Sequence, residues 1–262
     1  MALHPDSIRA SRVAMNTTVL NPIKQLTDKL ALHSPISAED RVAFYEIPYS
    51  SRLFEAGTYL LRDGEITDHC AILVSGIAYR HKVSAEGFRQ IVSICIPGEI
   101  INFRQLYLDE ADNNVQALNQ CQISSISHAE LRNLITQRPS IQRALFATTL
   151  VELSMSREWM LSIGRRDARA RVAHFLCEIA LRLNKDGVPD GKSYELPMTQ
   201  EQLGDALGLT AVHINRMFMG LVRDGLITRY KQRVTIPNWE LLVQAAGFNS
   251  RYLNLNGPVK PH

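Results

Sequence analysis

Four side chains close together near the C-terminus have the chemistry needed to contact the edges of nucleic-acid bases. They are Val212, His213, Asn215 and Arg216. Arginine can donate two hydrogen bonds to guanine, and a small apolar side chain can contact the thymine methyl group. Asparagine and histidine add further polar contacts. We therefore expect these residues to share the outward face of one helix, with Arg216 reading a guanine and Val212 a methyl group.

The residues around them predict the helix-turn-helix that such a face requires. Thr199 and Gln202 have the spacing of a capping box that begins a first helix. Gly208 is placed to end that helix in the left-handed conformation, and Thr210 can cap a second helix. The apolar residues of the second helix recur at helical spacing and predict a buried face: Ile214, Met217, Phe218, Leu221 and Val222.

A basic β-hairpin is predicted directly after the second helix, where residues 226–230 and 233–236 alternate in polarity. Such a hairpin would form a wing beside the recognition face. Phosphate contacts, which fix register without reading sequence, are expected from Thr199, Gln200, Thr210, Arg229, Lys231 and Arg233. The alternative is an ordinary helical hairpin with a solvated polar face. The capping box, the glycine turn and the wing together favour the helix-turn-helix.

Composition and charge distribution agree with a two-domain DNA-binding protein. The chain has 262 residues, of which 45% are hydrophobic, so it can bury a substantial core. From residue 165 to the end, 14 Lys and Arg face 9 Asp and Glu, a net charge of +5. Residues 1–164 carry 15 against 17, or −2. The basic part therefore coincides with the predicted helix-turn-helix, as phosphate binding requires.

Other classes of protein find little support in the sequence. The four cysteines match no metal-ligand spacing and are expected to be reduced and mostly buried: Cys70, Cys95, Cys121 and Cys177. We expect no cofactor and no bound metal. Enzyme fingerprints such as a P-loop or nucleophile elbow are lacking, so we expect no catalytic activity. Neither a signal peptide nor a membrane span is evident, which predicts a soluble cytoplasmic protein without membrane partners.

The residue pattern of positions 38–136 is typical of an antiparallel β-domain. Short β-favouring runs near residues 59–61, 70–74 and 90–96 alternate with glycines suited to tight turns. These glycines are Gly57, Gly64, Gly76, Gly87 and Gly98. We therefore predict an α+β chain that begins with a jelly-roll-like β-roll.

Specific motifs in this region resemble the cyclic-nucleotide-binding β-roll of the CRP/FNR regulators. They are Phe54 followed by Gly57, the run from Leu73 to Tyr79, and the turn Pro97-Gly98-Glu99. Together with the helix-turn-helix, the resemblance spans roughly residues 38–240. It implies a sensor β-roll, a dimerisation helix and a winged DNA-binding domain. It also implies a homodimer on a pseudo-palindromic operator and contact with RNA polymerase.

The resemblance also implies an effector pocket, and here the chain departs from the cyclic-AMP-responsive members. Those members hold the ribose with a Gly-Glu pair and the cyclic phosphate with an Arg-Ser or Arg-Thr pair. The corresponding positions are Asn102-Phe103 and Asn113-Asn114, and Asn cannot replace the guanidinium. Control by cyclic AMP is therefore not expected, and the small-molecule effector, if there is one, is unknown.

The histidines and cysteines give no sign of the family's metal-based sensors. The cysteine cluster of the oxygen-sensing members is lacking before Cys70. Haem-binding members use His or Cys in the β-roll, so His69 and His81 are the candidates. We interpret both as surface imidazoles rather than haem ligands.

A long helix is predicted from Pro139 to about Ile163 and is broken by Gly164. At 1.5 Å per residue it is roughly 35 to 40 Å long, more than the β-roll needs, so a partner helix is its natural cover. The predicted seam has a 3.5-residue period: Ile141, Leu145, Thr148, Glu152, Met155, Trp159 and Ser162. The alternative is a helix that packs along its own domain.

The predicted domain boundaries follow from these elements. They are an N-terminal extension at 1–37, in which residues 23–30 can form a short helix, the sensor at 38–136, the dimerisation helix at 137–164 and the winged domain at 165–262. Residues 184–194 are interpreted as a loop, and a final helix near 239–246 is expected to pack on the winged domain. The arginines between 165 and 171 approach phosphates or coat a solvated helix. The main rival function is a ligand-binding module that acts on a protein partner instead of DNA.

Overall fold

The computed structural model describes residues 21–184, 188 and 191–255. An N-terminal β-domain is joined by one long helix to a C-terminal domain of helices and a small sheet. The helices are α1 (Pro22–Ala31), α2 (Ala38–Tyr45), α3 (His128–Gln137), α4 (Pro139–Arg165), α5 (Ala168–Leu183), α6 (Gln200–Leu207), α7 (Ala211–Arg223) and α8 (Trp239–Ala246). The strands are β1 (Ser50–Phe54), β2 (Tyr59–Leu61), β3 (His69–Ser75), β4 (Ala78–Val83), β5 (Arg89–Cys95), β6 (Asn114–Ala117), β7 (Cys121–Ser127), β8 (Lys192–Glu195), β9 (Thr228–Tyr230) and β10 (Arg233–Ile236).

The predicted antiparallel β-roll is confirmed. Its strands form two sheets, with the orders β1-β7-β3 and β2-β6-β4-β5. All five glycines expected in turns have φ between 78° and 87°, in the left-handed region. At Gly76 a side chain is also excluded sterically, because a Cβ there would lie 2.4 Å from the carbonyl oxygen of Gln120. The glycine spacing therefore marked real turns.

Helix α1 belongs to the sensor domain and is not a detached extension. Asn21 caps it by accepting hydrogen bonds from the amides of Ile23 and Lys24. Its apolar face, which includes Leu26 and Leu30, is buried against β3, α4 and the rest of the sensor core. Burial of this face requires contacts far along the chain, which local sequence patterns do not specify. The first twenty residues of the predicted extension lie outside the described residues.

The long helix is confirmed, but it does not end where the sequence indicated. Helix α4 runs for 27 residues through Gly164 to Arg165, a length of about 40 Å. The chain turns at Arg166, and Asp167 then caps α5 by accepting a hydrogen bond from the amide of Ala170 at 2.9 Å. Gly164 is not among the glycines with positive φ and lies one residue before the end of α4, so it does not break the helix.

The C-terminal domain has the predicted winged arrangement and one strand that the sequence did not reveal. Strand β8 lies within the stretch interpreted as a loop, and it pairs with β10 to give the sheet order β8-β10-β9. This segment has only four residues, and it forms a strand because it pairs with β10, which is distant in the sequence. Helix α8 begins at its cap Asn238 and ends at Gly247 with φ 56°, as predicted.

One continuous core joins the two domains. It includes Ile91 and Ile94 of β5, most of the buried face of α5, and Leu203 and Ala206 of α6. Strand β5 therefore packs directly on the first helix of the helix-turn-helix. This packing fixes the recognition elements relative to the sensor.

Candidate nucleic-acid interface and sensor cavity

The helix-turn-helix has the local geometry that the sequence predicted. The Thr199 hydroxyl oxygen accepts a hydrogen bond from the Gln202 amide at 3.1 Å, and the Gln202 side chain accepts one from the Thr199 amide at 2.9 Å. Gly208 ends α6 with φ 62°. The turn also depends on Gly204, because a Cβ there would lie 2.4 Å from the carbonyl oxygen of Leu209. This close approach brings the two helices together, and the sequence analysis missed it.

Helix α7 presents the predicted recognition face to solvent. Ile214, Phe218 and Leu221 are buried on its inner side. On the outer side Val212 is 81% exposed, Asn215 and Arg216 are exposed, and His213 is half-buried. Within the described part of the chain, the side chains of Asn215 and Arg216 have no hydrogen-bond or ion-pair partner. Their polar groups are therefore free to bind a ligand.

The side chains predicted to contact phosphates differ in burial and in the hydrogen bonds that they already make. Thr199 and Thr210 use their side-chain oxygens as helix caps, and each hydroxyl keeps a hydrogen that can be donated. Gln200 is half-buried, and its side-chain oxygen is buried without a hydrogen-bond partner. These three residues lie at the start of the two helices, where backbone amides and cap hydroxyls favour anions.

The wing is attached to the recognition helix by Arg229. Its guanidinium lies 4.5 Å from the centre of the Phe218 ring, and its Nε donates to the carbonyl oxygen of Lys231 at 3.2 Å. Lys231 takes the left-handed conformation at the tip with φ 53°. Arg233 is exposed, with the Glu195 carboxylate only at 4.0 Å. Lys231 and Arg233 are therefore available cations, whereas Arg229 also has a structural role.

Three of the four arginines at positions 165–171 are held by contacts within the chain. The Arg166 guanidinium pairs with Glu158, and that of Arg169 pairs with Asp224 at 2.5 Å. Arg171 donates to the carbonyl oxygens of Ile163 and Leu207 at 3.0 and 2.7 Å. These arginines therefore hold the region around the start of α5 to neighbouring elements. The sequence had suggested only phosphate contacts or a solvated helix surface for them.

A buried carboxylate connects α4, α5 and the C-terminal segment. Glu178 accepts hydrogen bonds from Trp159 Nε1 at 3.1 Å and from the Tyr252 hydroxyl at 2.8 Å. Arg182 on the same helix pairs with it at 3.2 Å. Arg182 in turn reaches Glu99 of the sensor at 3.0 Å. The final segment is therefore tied to both domains through Glu178.

A cavity of about 610 Å³ lies between the β-roll and α4. Three of the four predicted effector positions line it, namely Asn102, Phe103 and Asn113. The Asn102 side chain already has hydrogen-bond partners within the protein. It accepts a hydrogen bond from the Ala71 amide at 2.7 Å and donates one to the His69 carbonyl oxygen at 2.8 Å.

The fourth predicted position, Asn114, has other contacts. Asn114 is not among the residues that line the cavity, and its side-chain oxygen accepts a hydrogen bond from the Asp63 amide at 3.1 Å. Asn113 lies just before strand β6 and lines the cavity, whereas Asn114 is the first residue of the strand, so only one of the pair faces the cavity.

Charged residues in the cavity wall come from separate elements that the sequence did not bring together. Arg80 is on β4, Glu99 follows β5, Glu152 is on α4 and Arg182 is on α5. Burial opposes the ionisation of Glu99, but Lys29 and Arg182 outweigh it and hold its pKa at about 2. Glu99 is therefore a permanent anion between two cations. The sequence contained one indication of this charged cluster, the arginine at position 80 directly after the run from Leu73 to Tyr79.

The residues of the predicted dimer seam pack against the chain's own domains. Ile141 and Leu145 are buried in the sensor core. Glu152 lies near Arg80, Trp159 bonds to Glu178, and Ser162 is buried. Thr148 and Met155 are half-buried on the same side. The helix therefore packs along its own domain with this stripe, as in the alternative considered for it.

A second stripe with the same period lies on the exposed side of α4. Alternate steps of four and three residues connect Phe146, Leu150, Leu153, Arg157, Met160 and Gly164. Phe146 is 62% exposed and Leu150 and Leu153 are each 47% exposed. The four apolar residues of this stripe, Phe146, Leu150, Leu153 and Met160, are costly to leave in water. It is the candidate surface for a partner helix.

The two histidines of the β-roll differ from each other. His69 is half-buried at the start of β3, with its ring beside Asp68. His81 is buried between the rings of Tyr59 and Tyr79, with centroid distances of 5.9 and 5.3 Å, so its surface assignment was wrong. The register shifts between Arg80 and His81, which pair with Ser93 and Ile91. His81 lies two residues after the buried Tyr79 and on the same face of β4. Burial, and to a smaller extent the nearby Arg89, lowers the pKa of the imidazole.

All four cysteines are free and buried, as predicted. Burial raises the pKa of the Cys95 thiol to about 11 and that of Cys70 to about 12. Among the described residues, no group of three or more His, Cys, Asp or Glu side chains is arranged to hold a metal ion. No helix in those same ranges is both long and apolar enough to cross a membrane.

The fold and the site together define a class of protein: a winged helix-turn-helix protein with an N-terminal sensor β-roll. Residues 170–245 match the Crp-like helix-turn-helix domain family, and residues 51–138 match the cyclic nucleotide-binding domain family. The chain belongs to the CRP/FNR family of transcriptional regulators. This is a family of transcription regulators and not of enzymes.

Individual relatives agree with this assignment. The chain is 29% identical to the transcriptional activator protein FnrL of Cereibacter sphaeroides, over 81% of this chain and 86% of that protein. It is 26% identical to the transcriptional activator protein Anr of Pseudomonas protegens, over 83% and 89%. The structure of FixK2 from Bradyrhizobium japonicum has the same fold, with a TM-score of 0.69, 22% identity and coverage of 76% of this chain and 98% of that one.

Proposed function

We propose that the chain is a cytoplasmic homodimeric regulator that binds a pseudo-palindromic operator on double-stranded DNA. The observation that carries this proposal is the exposed and unpartnered polar face of α7 beside a basic wing. A recognition helix with such a face fits the major groove, and two copies would occupy half-sites about 34 Å apart. The match to relatives named as transcriptional activators supports the regulatory role.

Base reading is assigned to the first two turns of α7. Arg216 would donate to guanine, with Asn215 and His213 beside it, and Val212 would contact a thymine methyl group. Family members usually carry a charged pair where this chain has Ala211 and Val212. We therefore expect the outer bases of the operator to differ from those that familiar members select.

Phosphate contacts would hold this face in register. Thr199, Gln200 and Thr210 lie at the starts of α6 and α7, and Lys231 and Arg233 extend along the wing. Arg229 would contribute while it stacks on Phe218. These contacts strengthen binding to every sequence and make it sensitive to salt.

Dimerisation would use the exposed stripe of α4 in place of the seam expected from the sequence. Phe146, Leu150, Leu153 and Met160 supply apolar contacts at heptad spacing. A parallel pair of these helices would place two winged domains side by side. The family resemblance further implies contact with RNA polymerase.

Selection of bound sequences from a random duplex pool tests the proposal. The full chain is incubated with the pool at near-physiological salt, with and without cyclic AMP. Enrichment of one two-fold symmetric motif under both conditions is the expected result. A motif that requires cyclic AMP would contradict the assignment of Asn113, and salt-insensitive or absent DNA binding would favour action on a protein partner.

A further inference from the structure

The cavity between the β-roll and α4 has mainly apolar and aromatic walls. Phe103 and Tyr107 contact each other edge to face at 5.7 Å between centroids, and Phe146 and Trp159 contribute from α4. The cavity volume of about 610 Å³ is in the range that accommodates a small organic molecule. Its wall therefore offers a large apolar surface to a ligand.

The two largely buried arginines of the cavity wall each have an anion beside them, and the third, the exposed Arg104, has a carboxylate 3.9 Å away. Arg182 lies 3.0 Å from Glu99, Arg80 lies 3.8 Å from Glu152, and Arg104 lies 3.9 Å from Asp112. These six residues are all in the wall. Three positive charges therefore face three negative ones, and the cavity has no net formal charge.

Arg80 is further committed to the protein. Its guanidinium donates to the Ser93 hydroxyl at 3.2 Å and to the Ile100 carbonyl oxygen at 3.1 Å. A buried anion that finds no free cation loses its hydration without compensation. A phosphate or carboxylate in this cavity would have to displace an existing carboxylate first.

We propose that the effector of this protein is an uncharged, largely apolar aromatic or alicyclic molecule that binds in this cavity. The inference deepens the proposed function, since it names the ligand class of the regulator. Aromatic rings on both the β-roll and α4 would contact the ligand, so its binding would couple the sensor to the long helix. Trp159 and Arg182 line the cavity and also contact Glu178, which bonds to Tyr252 near the end of the winged domain.

Two fluorescent probes that share a ring system test this ligand class directly. Phenylnaphthylamine is uncharged, and anilinonaphthalene sulfonate adds a sulfonate to the same rings. Titration of the full-length, DNA-free protein is expected to give at least about tenfold tighter binding of the uncharged probe. Cyclic AMP is expected not to displace it. Equal or tighter binding of the sulfonate, or displacement by cyclic AMP, would overturn the proposal.

Paired substitutions on α4 locate the binding site. The Ser156 and Ser154 side chains each donate to a carbonyl oxygen four residues earlier, but only Ser156 lines the cavity. Ser156→Trp should fill the cavity and reduce binding of the uncharged probe at least about tenfold. Ser154→Trp is the matched control and should leave it unchanged. Equal effects of the two substitutions would place the probe elsewhere and contradict the proposal.

A gain of function provides the sharper test of the charge argument. Glu152→Gln removes the partner of Arg80, so binding of the sulfonate probe should tighten by about tenfold while the uncharged probe is unaffected. Glu130→Gln, which removes the same charge from an exposed position on α3, is the control. Thermal unfolding checks that each variant is folded. Because the DNA-free protein is used, failure of DNA binding would leave these results interpretable, and an unchanged probe preference in Glu152→Gln would refute the inference.

Discussion

Arg89 Nε, on strand β5 of the sensor, donates a hydrogen bond to Asp205 Oδ2, on the first helix of the helix-turn-helix, at 2.7 Å. The neighbouring Gln90 donates to the backbone carbonyl oxygen of Asp205 at 2.6 Å. Arg89 also bonds the Tyr79 hydroxyl at 3.2 Å. The end of the β-roll is therefore bonded directly to an element that positions the recognition helix.

We expect this pair to be energetically coupled. Arg89→Ala and Asp205→Ala should each lower the free energy of unfolding, and the double variant should show a coupling of about 0.5 to 1 kcal/mol. The value is modest because both side chains are partly exposed. Urea unfolding of the four proteins measures it. Additive effects of the two substitutions would show that the pair does not stabilise the domain contact.

Arg216→Ala should weaken binding to the selected operator by about 1 to 3 kcal/mol and relax the preference at one base pair. Its guanidinium is exposed and lacks a partner within the described residues, so the loss would reflect a base contact. Fluorescence anisotropy on specific and random duplexes distinguishes the two effects. Arg223→Ala, at the far end of the same helix and beside Asp224, is the control. A similar loss on both duplexes would reassign Arg216 to a phosphate.

Gly204→Ala should destabilise the winged domain, because the added Cβ would lie 2.4 Å from the carbonyl oxygen of Leu209. We expect a loss of about 1 to 3 kcal/mol in the free energy of unfolding. Gly220→Ala is the matched control in the same motif. Its nearest neighbour would be Arg169 Nη1 at 3.7 Å, so better helix propensity should stabilise it by up to about 1 kcal/mol. If both substitutions stabilise the protein, the tight turn is not rigid.

Leu150→Glu should shift the protein from dimer to monomer, since it places a charge in the exposed stripe of α4. Sedimentation velocity over a concentration series measures the shift. Val42→Glu, at a comparably exposed apolar position on α2, should leave the mass unchanged. A dimer that survives Leu150→Glu, and also Leu153→Glu, would exclude this stripe as the interface.

His174 should make the folded state acid-sensitive. Burial and the nearby Arg166 lower its pKa to about 4, against the favourable effect of Glu158. Its Nε2 lies 3.3 Å from Glu158 Oε1, but the two atoms are not aligned as a hydrogen bond. The ring also packs on Phe248 and Tyr252. The imidazole is therefore neutral in the fold.

The pKa of His174 is lower in the folded state than in the unfolded state, so protonation of this imidazole favours unfolding. Below pH 6.5 the unfolded state binds the proton first, so the free energy of unfolding should fall from pH 6.5 towards pH 4. The difference between these pKa values corresponds to about 3 kcal/mol. His174→Phe should remove this share of the pH dependence, measured by urea unfolding at several pH values. An unchanged profile in the variant would assign the acid sensitivity to other groups.

The recognition elements could be predicted from the sequence because their geometry is specified locally. A capping box, a left-handed glycine and a threonine cap act over three or four residues, as at Thr199, Gly208 and Thr210. The turns of the β-roll, such as those at Gly57 and Gly64, are local in the same sense. The buried face of α7 follows from helical periodicity, which leaves Arg216 outward.

The tertiary structure decided which face of α4 is buried and what the cavity contains. Two stripes of the same period run along this helix, one through Ile141 and one through Phe146, and periodicity cannot tell which of them meets the β-roll. The pairing of Arg80 with Glu152, and of Arg182 with Glu99, joins residues 72 and 83 positions apart. Such pairs depend on how separate elements pack, so local residue patterns could not specify them.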